Sequence, residues 1–144
     1  MADTLLKVDN INVYYGSIHA IKGISFEVNE GEIVTLIGAN GAGKSSTLLA
    51  IMGAVPSSGT VTLGGTDVSS LRPEQVVRRG LALVPEGRGI FTRLTVEENL
   101  RMGAYSRKDK AAIEADLERV YALLPRIKER LPQVAGTLSG GEQP

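Results

Sequence analysis

The chain opens on alternation. From Leu5 to Tyr15, in LLKVDNINVYYG, apolar and polar residues trade places with a period close to two, and Ile24, Phe26 and Val28 repeat the pattern in IKGISFEV. That period sends successive side chains to opposite faces, so the two stretches predict half-buried strands. EIVTLIG, residues 32–38, is instead a continuous apolar run bounded by turn residues. A strand covered on both faces reads this way, which predicts a third strand, central in its sheet. Gly16-Ser17 and Asn29-Glu30-Gly31 supply the turns between the three.

Further along, the period lengthens. KSSTLLAIMG reads as a helix, SSGTVTLGGTDV as a small antiparallel excursion about a Gly-Gly turn, and RPEQVVRRG as a short helix with Pro73 in its first turn and Gly80 closing it. LALVPE predicts another short strand, ending in a proline and the carboxylate of Glu86, and a glycine-containing loop, GRGIFTRL, follows. Thr95 and Glu98 have the spacing of a capping box ahead of a helix. Asp109 is placed to cap a longer one, whose Ile113, Leu117, Val120, Tyr121 and Leu124 share a face until Pro125 ends it. At the far end Ser139 is a good N-cap and Glu142, three residues on, completes another capping box in TLSGGEQP.

Composition narrows the function classes. The 144 residues suffice for one core, are 42% hydrophobic, and balance 16 basic against 16 acidic side chains. Zero formal charge argues against a nucleic-acid partner, whose phosphates call for a basic excess. Cysteine is absent, which removes disulfides, thiol nucleophiles and Cys-based metal sites and fits a reducing compartment. No run approaches the roughly 18 apolar residues of a membrane span, and the N-terminus lacks the pattern of a signal peptide. A soluble globular chain is expected, reaching a membrane only through a partner.

One stretch carries sharper chemistry. Gly38-Ala39-Asn40-Gly41-Ala42-Gly43-Lys44-Ser45-Ser46 matches the phosphate-binding loop: Gly, four residues, then Gly-Lys-Ser, between an apolar strand-like run and a helical one. Glycines let the backbone curl until successive N–H groups face inward at a helix N-terminus, where the dipole favours an anion. In that pattern Lys44 reaches the β- and γ-phosphates, Ser45 offers its hydroxyl to Mg²⁺, and Ser46 is a further donor near the phosphates. A nucleoside triphosphate with Mg²⁺ is the expected ligand; the choice of ATP waits on the resemblance below. Gly140 and Gly141 leave a second set of helix-start N–H groups unshielded beyond Ser139, and so a second anion cradle.

Leu138 to Gln143, LSGGEQ, is the signature sequence of ATP-binding cassette ATPases, and with GANGAGKSS in the same order the chain resembles that family closely. The resemblance to the shorter ATPase subunit of bacterial branched-chain amino acid importers runs through VYYGSIHAIKGISFEV, GEIVTLIGANGAGKSSTLLAIMG, ALVPEGRGIFTRLTVEENLRMGAY and TLSGGEQ. It implies an α/β P-loop NTPase fold of cassette type, incomplete here, with an antiparallel β subdomain and a helical subdomain. It places the β subdomain and P-loop part of the core in residues 1–94, the helical subdomain in 95–138 and the signature in 138–143.

Residue by residue, the resemblance puts Tyr15 rather than Tyr14 where an aromatic ring stacks on adenine. It puts Glu86 where most of the superfamily has a glutamine that meets Mg²⁺ and the attacking water. Ser139, Gly140 and Gly141 fall where one subunit closes on the γ-phosphate held by another. A head-to-tail dimer of ATPase subunits is thereby implied, with transmembrane permease subunits, an indirect solute-binding protein, and a place on the cytoplasmic face of the membrane.

The family's Mg²⁺-binding aspartate, water-polarising glutamate and switch histidine would follow the signature, and His19, the only histidine, precedes the P-loop and reads as structural or exposed. Hydrolysis is therefore expected of a longer protein of which this is the N-terminal portion, the chain alone being expected not to turn over ATP. Pro144, at a helical position that should donate an N–H, reads as the point where that sequence is lost. The alternatives are a nucleotide-binding or assembly fragment that does not hydrolyse ATP, or the equivalent subunit of an importer for urea, amides or other amino acids.

Overall fold

A computed structural model describes residues 3–87 and 89–141. It divides into two compact units, one running to Leu83 and the other beginning at Val84.

The first unit is built on a four-stranded antiparallel sheet in the order β2-β1-β3-β4, from β1 (Thr4–Tyr15), β2 (Ile18–Asn29), β3 (Ser57–Leu63) and β4 (Thr66–Asp67). Its long hairpin β1–β2 turns at Gly16-Ser17, and β3–β4 turns at Gly64-Gly65, as the sequence predicts. The alternation in β1 is broken once, and the break is structural. Val8, Ile11 and Val13 are all buried, so the inward-facing parity changes between positions 8 and 11. From Val8 to Ile11, β1 advances three positions while β2, from Phe26 to Ile24, advances two. Against β3 the mismatch is the same, Asp9 to Asn12 opposite Thr60 to Ser58.

One extra residue in β1 is a β-bulge, and Asn10 sits in it with φ 51°. Ser25 Oγ accepts from its backbone N–H at 2.8 Å, and Asn12 Nδ2 donates to its carbonyl at 2.8 Å. Across the bulge, Gly59 has φ 103°, and a Cβ there would run into the Asn10 carbonyl oxygen. Helix α1 (Lys44–Ile51) packs Ala50 and Ile51 with Met52 against Val8, Ile11, Val13, Ile21 and Val61, and α2 (Pro73–Arg78) adds Val76 to the same core.

Two strand expectations are corrected. Residues 32–38 and 81–86 form no ladder with any described strand. Ile33 and Ile37 are each 93% exposed and Val84 87% exposed. An extended segment becomes a strand only when a neighbour takes up its N–H and C=O groups, and among the described residues no such neighbour lies beside either run.

The second unit is helical: α3 (Val96–Met102), α4 (Lys110–Leu123), α5 (Pro125–Arg130) and a 3₁₀ turn at Ala135–Thr137. Val96, Leu117, Tyr121 and Ala135 are its buried apolar residues. The Thr95 capping box is formed on both sides, Glu98 N–H to Thr95 Oγ1 at 3.2 Å and Thr95 N–H to Glu98 Oε2 at 2.7 Å. Asp109 holds the N-cap position of α4, but its side chain does not cap; the carboxylate is gripped instead by Arg107, whose other arm reaches Asp116 at 2.7 Å. Pro125 both follows the end of α4 and opens α5, because the first turn of a helix has no intrahelical acceptor for the N–H that proline lacks.

Candidate nucleotide site

The phosphate-loop pattern lies in the first unit, between the apolar run 32–37 and α1. Gly41 and Gly43 take φ of 83° and 94°, and Gly43 is the N-cap of α1. Side-chain-bearing residues avoid that left-handed backbone, and here space forbids one as well: a Cβ on Gly43 would strike Ile21 Cδ1, and one on Gly38 would lie 2.9 Å from Ala42 Cβ. Inside the loop the Ala42 N–H donates to the Ala39 carbonyl at 3.1 Å. The Lys44 ammonium folds back over it, donating to the carbonyls of Gly38 at 2.8 Å and Ala39 at 2.9 Å. Buried Thr47 fastens the loop to the helix, its hydroxyl and N–H both reaching the Gly43 carbonyl, at 3.0 and 2.8 Å.

At the tip of the β1–β2 hairpin, Tyr14 and Tyr15 diverge. Tyr14 stacks on His19 with ring centroids 4.0 Å apart and planes 10° from parallel, and His19 Nε2 lies 3.0 Å from Asn12 Oδ1. The half-buried histidine is a packing residue, as the sequence reading has it. Tyr15 goes the other way: its hydroxyl donates to Ser46 Oγ at 3.2 Å. One compact region thus gathers Tyr15, the loop Gly38–Gly43, Lys44, Ser45 and Ser46. Its curled glycine backbone, one ammonium and three hydroxyls suit a ligand with several anionic oxygens beside an apolar ring, and the Ser45 hydroxyl is the hard oxygen donor that Mg²⁺ prefers.

The other expected site residues belong to the second unit. Glu86 lies in an exposed turn. Ser139 follows the 3₁₀ turn, and Gly140 and Gly141 are in a turn; Glu142, the other half of the expected capping box, lies outside the described residues, as do Gln143 and Pro144. The chain leading into Ser139 is laced to the loop before α3 by Ala135 N–H to Leu94 O, Gly136 N–H to Thr92 O and Val96 N–H to Gln133 O, at 2.8, 3.0 and 2.9 Å. Asn99 completes that lacing. It accepts from Phe91 N–H at 2.8 Å and donates to the carbonyls of Phe91 at 3.0 Å and Thr95 at 2.9 Å. Sequence reasoning passes over Asn99 because one polar residue within a helix carries no pattern.

A profile of the ABC transporter family matches residues 21–144, which takes in the loop and everything after it. The chain belongs to the ABC transporter family. Among the relatives of this ABC protein, BraG of Pseudomonas aeruginosa, a high-affinity branched-chain amino acid transport ATP-binding protein, is 48% identical over 140 residues, covering 96% of this chain and 60% of that one. LivF of Archaeoglobus fulgidus, described as a probable branched-chain amino acid transport ATP-binding protein, is 34% identical, with 96% of this chain and 59% of the relative covered. A solved ATP-binding subunit of an ABC transporter superposes with a TM-score of 0.83 at 31% identity, over 97% of this chain and 58% of that one. The ABC chain described here thus spans about 60% of the length of these two relatives.

Proposed function

We infer that this chain binds ATP with Mg²⁺ as part of the ATPase subunit of an importer for branched-chain amino acids. The observation that carries the reading is the 48% identity to BraG across 96% of the chain. The local geometry supports it, with Gly41 and Gly43 in left-handed backbone and the Lys44 ammonium folded over the loop. In this reading the loop backbone and Lys44 hold the β- and γ-phosphates, Ser45 holds Mg²⁺, Ser46 donates to the phosphate chain, and the Tyr15 ring lies on the base. Bound Mg²⁺ offsets the negative charge that gathers on the phosphates. Lys44 gives up the carbonyls of Gly38 and Ala39 to take phosphate oxygens, which form the stronger, charge-assisted bonds.

Glu86 and the turn Ser139-Gly140-Gly141 are assigned to the same machinery, Glu86 facing Mg²⁺ and water and the turn serving the nucleotide of a second ATPase subunit. Hydrolysis, the permease partners, the indirect solute-binding protein and a peripheral place on the inner membrane face belong to this proposal. No helix among the described residues is long and apolar enough to cross a bilayer, so attachment would run through those partners. Two measurements test the reading. Titration calorimetry of the chain with MgATP should give saturable binding that Lys44→Ala removes. ATPase activity of the complete subunit, co-purified with its permease partners, should rise with leucine, isoleucine or valine; stimulation by urea alone would reassign the solute.

A further inference from the structure

Resting on that nucleotide reading, we propose that Tyr15 is a positioning residue for the phosphates as well as a platform for the base, acting through its hydrogen bond to Ser46. The two residues are 31 positions apart, and the hairpin tip and the first turn of α1 bring their oxygens to 3.2 Å. In that bond the phenol donates and the serine oxygen accepts. A hydroxyl that accepts keeps its own hydrogen for another partner. It also donates more strongly, because hydrogen bonds in a chain polarise one another. Ser46 directly follows Ser45 and Lys44 in the first turn of α1, so the strengthened donor stands beside the phosphate loop. The bond also fixes the serine rotamer before any ligand arrives, sparing part of the ordering cost of binding.

The hairpin tip is built to aim Tyr15. Tyr14, its neighbour, is occupied by the stack on His19, which Asn12 holds from the adjacent rung. Consecutive residues of a strand face opposite ways, so a tip anchored by Tyr14 on one face directs Tyr15 to the other.

A platform that only stacks would be indifferent to a ligand without a base, which gives the test its contrast. ATP and inorganic tripolyphosphate, each with Mg²⁺, would be titrated calorimetrically into the chain and its Tyr15→Phe, Ser46→Ala, doubly substituted and Tyr14→Phe variants. Tyr15→Phe keeps the ring, and at 44% exposure loses little packing; circular dichroism would verify folding. The expected result is that Tyr15→Phe weakens both ligands by the same factor, about three- to tenfold, has no further effect once Ser46 is alanine, and is not mimicked by Tyr14→Phe. Tripolyphosphate affinity unchanged by Tyr15→Phe would overturn the proposal while leaving the nucleotide site intact. ATP binding that survives Lys44→Ala would instead remove the nucleotide reading, and this inference with it.

Discussion

At the scale of single residues, the loop concentrates its demands on Lys44 and Gly43. The lysine's two bonds to loop carbonyls are both solvent-exposed, so Lys44→Met should leave the melting temperature nearly unchanged while weakening MgATP binding about 100-fold, the worth of lost charge-assisted hydrogen bonds. Gly43→Ala should do the reverse of a quiet substitution. It meets both the left-handed backbone and Ile21 Cδ1, and urea unfolding is expected to record a loss of about 1–3 kcal/mol. Both residues are legible in the sequence because a phosphate loop is written in nine consecutive positions. The Tyr15–Ser46 bond is not, since its partners lie 31 residues apart and meet only after the hairpin folds onto α1.

Among elements, the start of α3 is the case where local sequence suffices. Thr95 and Glu98 satisfy each other's backbone as their spacing requires, and Thr95→Ala is expected to cost about 1 kcal/mol, read from urea unfolding followed by helix ellipticity. Asp109 looks equally good as a cap, yet Arg107 outbids the backbone for its carboxylate, a competition between side chains that no single-position preference encodes. Helix α5 is not legible beside α4, because Pro125 reads as an end while its fixed φ equally suits a beginning. The runs 32–38 and 81–86 have the composition of buried strands, but a strand is a relation between two segments, and composition names only one of them.

For the molecule as a whole, that exposed apolar surface has a cost in solution. Ile33, Ile37 and Val84 are each nearly bare, and light scattering of the chain at rising concentration should show self-association that Ile33→Thr with Ile37→Thr suppresses. Acid should act through separate groups. Arg107 holds the carboxyls of Asp109 and Asp116 below their usual 3.8, the Thr95 N–H does the same for Glu98 against 4.5, and the Ser69 hydroxyl for Asp67. A carboxyl depressed on folding stabilises above its unfolded value, and that contribution is lost as pH falls through the folded one. Melting temperature should therefore decline below about pH 4, less steeply in high salt and in Arg107→Gln. The bulge at Asn10 carries a different liability, one of register. The inward facing of Ile11 and Val13 depends on that residue being set aside from the ladder. Excising Asn10 would let Ile11 follow Asp9 directly and leave Tyr14 and Tyr15 on their present faces. Drawing Asn10 into the ladder would instead turn Ile11 and Val13 outward and exchange the two tyrosines. The identity of the aromatic ring offered to a base is thus decided by arithmetic four to five residues upstream, and a pairing register that counted Asn10 would rewrite it with no change of sequence.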